Sequence, residues 1–345
     1  MKKIPCVLTI AGSDSGGGAG IQNDLKTFAA LNVHGLCAIT SITAQNTVRV
    51  HAIFDLPLKM IEKQIDVVVN DIGVDSAKTG MLSRKEIIKL VSEKIQEYNI
   101  PTVVDPVMVA ASGAPLLKSD AIDFLKNDLF PIAKVVTPNI FEAEKLCNIK
   151  ILNLKLAKQA AEKIAKFGPE AVLIKGGHAK FKETIDILYF NKKFYTFKSE
   201  RIQTKNLHGA GCTYSAAIAA EFAKGKKLVE AVASAKKFIT NAIRFGLEIG
   251  HGPGPVNPMA FLHNEVEKQK VILDIKEATK ILEDCENFPK LIPEVGTNIA
   301  MALPYAKTLN DVAAIPGRIV RFKSGVKIIG EPEFGGSKHI ATIVL

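Results

Sequence analysis

Short apolar runs alternate with longer amphipathic stretches from the N-terminus to about His263. Consecutive apolar residues indicate strands that are buried on both faces, and apolar residues spaced three and four apart indicate helices. Strands that alternate with helices predict βαβ crossovers, and therefore an α/β fold whose mostly parallel sheet is covered on both faces. The predicted strands are Ile4–Ala11, Gly35–Ile42, Ala77–Thr79, Thr102–Val104, Val135–Val136 and Ala171–Ile174. The predicted helices are Gly20–Leu31, Pro57–Asn70, Arg84–Tyr98, Ala121–Leu129, Ile140–Cys147 and Lys155–Lys166.

Two further patterns follow these elements. Tyr189–Phe197, with Asn191 and Lys192 at its turn, predicts a β-hairpin. Glycines and prolines in Gly250–Pro258 break the alternation and predict the end of a first domain. Sheets of this class bind ligands at the carboxyl ends of their strands, near the point where the strand order reverses. We therefore expect the functional residues to follow the strands.

The C-terminal part has a different pattern. A charged stretch leads to a predicted helix, Ile275–Glu286, and the last apolar run, Ile340–Leu345, predicts a strand. A segment of about 60 residues is small for a domain that folds alone. We therefore predict a first domain at 1–264, a linker or helix at 265–288, and a small, incomplete α/β segment at 289–345.

Composition and charge narrow the possible partners. Hydrophobic residues make up 47% and charged residues 23% of the 345 residues, which is typical of a globular protein and excludes a disordered chain. The net charge of +10 fits nucleic acid, anionic metabolites, or merely a lysine-rich proteome. The lysines are dispersed, aromatic residues make up only 6%, and tryptophan is absent, so a surface that stacks bases is not favoured. We expect anionic small molecules and no nucleic acid.

Cysteine usage and the N-terminus indicate the compartment. The five cysteines are scattered and form no C-x-x-C pair, which argues against a disulfide framework and a zinc site. No apolar run approaches the ~18–20 residues of a membrane span. The first apolar run is short, begins at Pro5 and continues directly into Gly12, unlike a signal peptide. We predict a cytoplasmic protein with no membrane partner.

The first glycine-rich loop, Ala11–Gly20, follows a predicted strand and precedes a helix. No Gly-Lys-Ser/Thr follows its glycines, so it is not a P-loop, and Asn23 stands where a dinucleotide fingerprint has its third glycine. The loop is either a tight turn or a close approach of backbone to a ligand, with Gln22 and Asp24 one helical turn further on. By itself it does not identify a ligand.

The second glycine-rich loop predicts more specific chemistry. Gly209, Ala210, Gly211 and Cys212 precede a predicted helix of small residues, Thr213–Ala223. Unpaired N–H groups at a helix start bind anions, and the same field lowers the pKa of a thiol. Cys212 could then accept a proton from a substrate hydroxyl while the amides hold the negative charge of a phosphoryl group. The alternative is close helix packing around a buried cysteine.

Seven segments of the chain together form a recognisable pattern. They are Leu8–Phe28, Ile42–Thr47, Lys78–Leu82, Val103–Met108, Thr137–Glu144, Val172–His178 and Gly250–Pro258. In this order they closely resemble the hydroxymethylpyrimidine/phosphomethylpyrimidine kinases of thiamine biosynthesis, a branch of the ribokinase-like kinases. The resemblance implies a three-layer α/β/α sandwich, ATP and Mg²⁺ as cofactors, and a homodimer.

The resemblance also implies a site for the pyrimidine. Gly12, Asp24 and Gln45 match the residues that hold the aminopyrimidine. A carboxamide offers an acceptor beside a donor, which complements an amino group beside a ring nitrogen. Met81 and Val107 match the apolar residues that flank the ring. Without the resemblance, Asp24 and Gln45 would be taken for solvated surface residues.

For phosphoryl transfer, the resemblance assigns Lys175 to the triphosphate as a positive charge. Asn139 and Glu142 match the pattern that holds magnesium, usually through waters, and Asp105 is expected to meet the metal or the phosphates. The alternative for Glu142 is a helix N-terminal charge.

Sugar kinases of this superfamily carry an aspartate at the position of Cys212, so the resemblance argues against a sugar. It implies in-line attack of the pyrimidine alcohol on ATP, followed by a second phosphorylation.

The tail, Leu291–Leu345, is similar to the beginning of the archaeal-type thiamine-phosphate synthase domain. Arg318, Arg321 and His339 are the expected anion and substrate contacts of that part. The similarity ends well short of the usual end of the domain, so we do not expect synthase activity from it.

Two alternatives stay open for the function. A pyridoxal/pyridoxine kinase shares both glycine loops and the cysteine. A thiamine-phosphate-sensing regulator would carry a helix-turn-helix segment with clustered basic residues, and the sequence contains no such segment.

Overall fold

The computed structural model describes residues 4–110, 113–177, 183–323 and 325–345. The chain forms two compact units, Met1–Phe261 and Leu262–Leu345. Within those described ranges, every helix is too short or too polar to cross a bilayer.

The first unit contains strands and helices in alternation, as the apolar pattern predicts. Its strands are β1 (Cys6–Ala11), β2 (His34–Ile39), β3 (Ser41–Gln45), β4 (Val50–Asp55), β5 (Ser76–Thr79), β6 (Thr102–Val104), β7 (Val135–Val136), β8 (Ala171–Ile174), β9 (Glu183–Phe190) and β10 (Lys193–Glu200). Its helices are α1 (Gly20–Ala30), α2 (Leu58–Asp71), α3 (Lys85–Glu97), the single turn α4 (Ile122–Phe124), α5 (Ile140–Cys147), α6 (Leu154–Ala165), α7 (Ala210–Ala223) and α8 (Leu228–Arg244).

The central sheet has eight strands in the order β10-β9-β8-β7-β6-β5-β1-β2. Six neighbouring strands of this sheet pair in parallel, in the order β8-β7-β6-β5-β1-β2. Strands β9 and β10 add an antiparallel hairpin at the β8 edge. Asn191 and Lys192 adopt positive φ at its turn, which confirms the predicted hairpin. The chain moves from β1 outward to β2, then returns to place β5 on the other side of β1. The strand order therefore reverses between β1 and β5.

Successive residues of the strands enter two different hydrophobic clusters. In β6, Val104 belongs to the cluster that contains residues of α2, α3, α5 and α6, whereas Val103 belongs to the cluster of α1, α7 and α8. Val136 and Val135 of β7 divide in the same way. Alternation of side chains between the faces of a strand explains the division. The predicted three-layer α/β/α architecture is confirmed.

Some boundaries differ from the prediction. The predicted strand Gly35–Ile42 is interrupted at Thr40, and the chain continues as β3, which pairs with β4 in a separate antiparallel hairpin. The predicted helix Ala121–Leu129 consists of short 3₁₀, α and π turns. The predicted helix Thr213–Ala223 begins three residues earlier, at Ala210.

The second unit has its own small core. Its elements are α9 (Ala260–Asp284), α10 (Phe288–Leu291), β11 (Ala300–Ala302), β12 (Val312–Ala314), β13 (Ile319–Phe322), β14 (Gly325–Ile328), β15 (Glu333–Phe334) and α11 (Lys338–Val344). Strands β11, β12 and β15 form an antiparallel sheet, and β13 pairs with β14. Val271 and Ile275 of α9 pack with Leu303, Ala313 and Ile315. The region predicted as a linker or helix therefore contributes to this core.

The predicted final strand, Ile340–Leu345, is wrong. All of these residues except Leu345 lie in helix α11, and Ser337 caps its N-terminus by accepting a hydrogen bond from the N–H of Ile340. β-branched residues favour strands only weakly, and a cap with one buried contact, at Ala341, outweighs that preference here.

Candidate active site

One large cavity, of about 670 Å³, opens at the carboxyl ends of the parallel strands. Each of five neighbouring strands supplies a lining residue just after its end. These residues are Gly12, Met81, Asp105, Asn139 and Lys175. The cavity includes the position between β1 and β5 where the strand order reverses, as expected for a sheet of this class.

The first glycine loop is organised around Asp14. Its carboxylate accepts hydrogen bonds from the N–H groups of Gly16, Gly18 and Ala19, and its Oδ2 lies 2.8 Å from His208 Nε2. Burial alone would raise the pKa of Asp14, but the hydrogen bond and charge of His208 and the backbone donors hold it below its usual value. Asp14 and His208 thus tie the first glycine loop to the second. Neither residue was given a role in the site from the sequence, although each belongs to a glycine motif.

Glycines at the contact between the two loops allow this approach. Gly209 has φ +78°, and a Cβ there would lie 1.8 Å from the carbonyl oxygen of Gly18. A Cβ on Gly18 would lie 2.4 Å from the ring of His208. Two backbone segments therefore touch where no side chain fits.

We expect Gly209→Ala to lower kcat at least tenfold, because the added methyl group forces the two loops apart. Gly225→Ala is the matched control, since Gly225 also has positive φ but has no atom within 4 Å of a built Cβ. Steady-state kinetics and thermal melting of both variants distinguish the loss of the contact between the two loops from the effect of backbone strain, because only Gly209 makes that contact. Equal kcat values in the two variants would contradict the predicted role of this contact.

The second glycine loop leads directly into α7. Gly209, in the left-handed region, is the N-cap, and the helix begins at Ala210. The N–H of Ala210 donates to the carbonyl of Leu207, so this amide is used within the loop. Gly211 and Cys212 lie in the first turn, where helical N–H groups have no intrahelical acceptor, and both residues line the cavity. The positive end of α7 therefore contributes to the cavity wall.

The structure does not support the lowered pKa expected for the Cys212 thiol. Burial raises the pKa of the Cys212 thiol to about 11, although Lys78 and a backbone hydrogen bond from Gly20 act in the opposite direction. Desolvation of a charge inside the protein therefore outweighs the field of the helix terminus. Cys212 is a neutral thiol at neutral pH in this structure.

Lys175 and Asp105 form a buried ion pair in the cavity wall. Lys175 Nζ lies 2.7 Å from Asp105 Oδ1, and Thr137 Oγ1 and Ser215 Oγ donate further hydrogen bonds to the same carboxylate. Burial raises the pKa of Asp105, but Lys175 and Lys78 bring it below its usual value. Burial lowers the pKa of Lys175, whereas Asp105 and Glu142 raise it above its usual value. Both groups are therefore charged at neutral pH.

Asn139 and Glu142 form a capping box at the start of α5. Asn139 Oδ1 accepts from the N–H of Glu142, and Glu142 Oε2 accepts from the N–H of Asn139. This is the alternative role considered for Glu142. Both residues nevertheless line the cavity. Burial raises the pKa of Glu142 to about 7. Repulsion by Asp105 also raises this pKa, whereas attraction by Lys175 and a backbone hydrogen bond from Asn139 lower it.

Most residues predicted from the resemblance to hold the pyrimidine line the same cavity. Gly12, Gln45, Met81 and Val107 all line it. Ser15 Oγ bonds both the N–H and the carbonyl oxygen of Gln45, which holds its backbone. A Cβ on Gly12 would lie 3.1 Å from the sulfur of Met81, so the glycine leaves this wall open.

Asp24 is not among the residues that line the cavity, so the structure does not support its predicted contact with the pyrimidine. The carboxylate is fully buried and bonds to Lys78 and to the hydroxyl of Thr9. Lys78, which the sequence analysis did not single out, lines the cavity in its place.

A third buried ion pair holds the loop after β8. Asp186 Oδ1 accepts from the N–H of Gly176, and Lys236 Nζ lies 2.7 Å from Asp186 Oδ2. This loop carries Lys175, so the pair limits where its ammonium group points. The predicted motif Val172–His178 ends at His178, which lies outside the described residues.

The predicted C-terminal site residues lie in the second unit. The guanidinium groups of Arg318 and Arg321 donate to the carbonyl oxygens of Val295 and Ile292. His339 is exposed on α11. The two arginines thus brace the chain's own backbone, and their role as anion contacts stays a prediction.

Comparison with known proteins gives matches for both parts of the chain. The family model of phosphomethylpyrimidine kinase matches residues 14–257. The family model of thiamine-phosphate synthase ThiN matches residues 274–345, which confirms the resemblance of the tail.

Related proteins match mainly the first unit. The chain is 47% identical over 266 residues to the hydroxymethylpyrimidine/phosphomethylpyrimidine kinase of Haemophilus influenzae, which covers 76% of this chain and 99% of the relative. It is 48% identical over 252 residues to the thiamine biosynthesis bifunctional protein ThiED of Geobacter sulfurreducens, which covers 73% of this chain and 51% of that relative. The chain thus matches about half the length of the bifunctional protein.

Solved structures confirm the predicted ribokinase-like fold. Bacillus subtilis pyridoxal kinase, solved as an ADP complex, has a TM-score of 0.71 at 39% identity and covers 75% of this chain and 99% of its own. Phosphomethylpyrimidine kinase of Clostridium difficile has a TM-score of 0.63 at 48% identity and covers 70% of this chain and 100% of its own. With a family model matched over most of its length and relatives at this identity, the chain belongs to the phosphomethylpyrimidine kinase family.

Proposed function

We propose that this hydroxymethylpyrimidine/phosphomethylpyrimidine kinase uses ATP to phosphorylate 4-amino-5-hydroxymethyl-2-methylpyrimidine, and then its monophosphate to the diphosphate. One observation carries the proposal: a single cavity is lined by the candidate pyrimidine subsite, by Lys175 and by the first turn of α7. An alcohol bound against Gln45 and Met81 would then face an anion site within the same enclosure.

The residues have separable roles in this reaction. Gln45 would orient the aminopyrimidine through its carboxamide, and Met81 and Val107 would contact the ring faces. The amides of Gly211 and Cys212, with the ammonium of Lys175, would stabilise the negative charge of the transferring phosphoryl group. Since phosphoryl transfer depends chiefly on position and charge, these groups would supply most of the rate enhancement.

Cys212 would accept the proton of the attacking hydroxyl only in its thiolate form. Burial raises the pKa of this thiol to about 11, so the thiolate is a minor species at neutral pH. The rate of the chemical step would therefore rise with pH through the neutral range.

The donor set fits a magnesium ion held through waters. Asp105, Asn139 and Glu142 supply oxygen atoms at the cavity wall, and the pKa of Glu142, about 7, reflects a buried carboxylate near another one. Such a pair favours a cation, and Mg²⁺ commonly keeps several of its waters. Within the described ranges, no three acidic, histidine or cysteine side chains cluster as direct metal ligands, which agrees with water-mediated binding. Bound Mg²⁺ would neutralise phosphate charge.

Two further properties belong to the same proposal. The protein would act as a homodimer, and Ile42, Ile53 and Phe54 of the β3–β4 hairpin, all exposed apolar side chains, support such a contact. The second unit matches the thiamine-phosphate synthase family ThiN. The reaction to test there is the coupling of the pyrimidine diphosphate to a thiazole phosphate.

The test is incubation with MgATP and the pyrimidine alcohol, with mono- and diphosphate products followed by chromatography. We expect both products, and none after removal of Mg²⁺ by a chelator. Pyridoxine replaces the pyrimidine in a parallel reaction, because pyridoxal kinases are among the similar structures. A large preference for pyridoxine would contradict the proposed substrate. Addition of thiazole phosphate then reports on the second unit.

A further inference from the structure

A buried charge pair lies behind the transfer site. Lys78 on β5 and Asp24 on α1 have no solvent-exposed side-chain surface, and Lys78 Nζ lies 2.8 and 3.1 Å from the two oxygens of the Asp24 carboxylate. Thr9 Oγ1 donates a further hydrogen bond of 2.7 Å to Asp24. Removal of two charges from water has a desolvation cost in free energy, and the attraction between the charges often does not offset this cost. Stability is therefore a poor explanation for this pair.

Only one member of the pair faces the cavity. Lys78 lines it, as does Cys212, whereas Asp24 does not. Helix α7, whose first turn carries Cys212, contacts both β5 and α1, which carry the pair. The ammonium group of Lys78 and an ionised Cys212 attract each other, and both residues line the same cavity.

The charges around Cys212 do not act equally. Burial raises the pKa of its thiol, and the attraction of Lys78 is the largest effect in the other direction. Asp24 and Asp105 repel negative charge there, with smaller effects than that of Lys78. Lys175 also attracts negative charge at the sulfur of Cys212. The Asp24–Lys78 pair therefore has a net favourable effect on negative charge at the sulfur.

We propose that Lys78 is a positioning residue of the phosphoryl-transfer site, whose ammonium group, fixed by Asp24, favours negative charge at Cys212 and on the substrate oxygen beside it. Asp24 then acts on the reaction through Lys78 and not by contact with the pyrimidine. The inference rests on the proposed function, because it adds to Lys175 a second cation for the same transfer.

The test uses the double variant Asp24→Asn/Lys78→Met. Removal of both charges together avoids a buried charge without a partner, which would itself unfold the protein. Cys212 is alkylated with iodoacetamide at about pH 8.5 in the protein without substrates, and mass spectrometry of its peptide gives the rate, because only the thiolate reacts. We expect this rate to fall at least about threefold, since a net attraction for the thiolate is lost.

Kinetics supply the second readout. We expect kcat of the double variant to fall at least about tenfold, while KM for the pyrimidine changes less than about threefold, because a charge is lost that acts in the transition state. Thr9→Val is the matched control: it removes a hydrogen bond to Asp24 but keeps both charges. This control should alkylate at the wild-type rate.

Three results would overturn the inference: wild-type alkylation in the double variant, loss of its fold, or equally slow alkylation in Thr9→Val. The alkylation experiment needs no substrate. If the proposed substrate is wrong, the kinetic comparison fails while the alkylation difference remains. If only this inference is wrong, the double variant phosphorylates the pyrimidine normally.

Discussion

Replacement of Lys175 by methionine is expected to lower kcat at least 100-fold, the typical cost of one charge-stabilising group. Lys175 is buried beside Asp105 at 2.7 Å and lines the cavity. Methionine keeps much of the side-chain volume but has no charge to place against a developing phosphate. Steady-state kinetics with saturating MgATP and pyrimidine alcohol measure the loss.

Lys134→Met is the matched control for this prediction. Lys134 also pairs with a carboxylate, Glu170, at 2.6 Å, but the pair is exposed and lies away from the cavity-lining residues. Exposed pairs contribute little to stability, so this variant should keep wild-type kcat. The Lys175 variant leaves Asp105 buried without its partner, so its melting temperature is measured as well. A folded Lys175→Met protein with full kcat would contradict the assigned role.

Replacement of Cys212 by alanine should lower kcat about 100-fold or more, the usual contribution of a general base. The pH dependence should change as well. Below a thiol pKa of about 11, the thiolate fraction of Cys212 rises about tenfold per pH unit, so wild-type kcat should rise with pH between neutral and alkaline conditions. The alanine variant lacks this group and should give a nearly flat profile above about pH 8, where Glu142, with a pKa of about 7, is already ionised.

Cys37→Ala serves as the matched control. Cys37 is a half-buried cysteine on β2 whose pKa is also raised by burial, but it does not line the cavity. Its replacement should leave both kcat and the pH profile unchanged. A Cys212→Ala variant with the wild-type rate and slope would show that the amides and Lys175 suffice without this thiol.

The local pattern of the chain was sufficient to predict the layered fold. Consecutive apolar residues such as Val103 and Val104 have to be buried on both faces, which only a covered parallel sheet permits. The glycines of both loops were also recognisable, because close approach of backbone excludes side chains. The final helix was predicted wrongly, since a cap at Ser337 and one buried contact outweigh the weak strand preference of its β-branched residues.

Charge and burial at the site depended on contacts between residues that lie far apart in the chain. Asp24 looks like a surface residue in the sequence, yet the approach of β5 gives it a buried lysine as partner. The Asp14–His208 contact joins residues separated by 194 positions. The local helix field was expected to lower the pKa of the Cys212 thiol, whereas desolvation by the surrounding elements raises it. Sequence by itself determined most elements of the first unit and which residues follow its strands, because both depend on short-range pattern. Only the tertiary structure decided which charges meet and how far from water they lie.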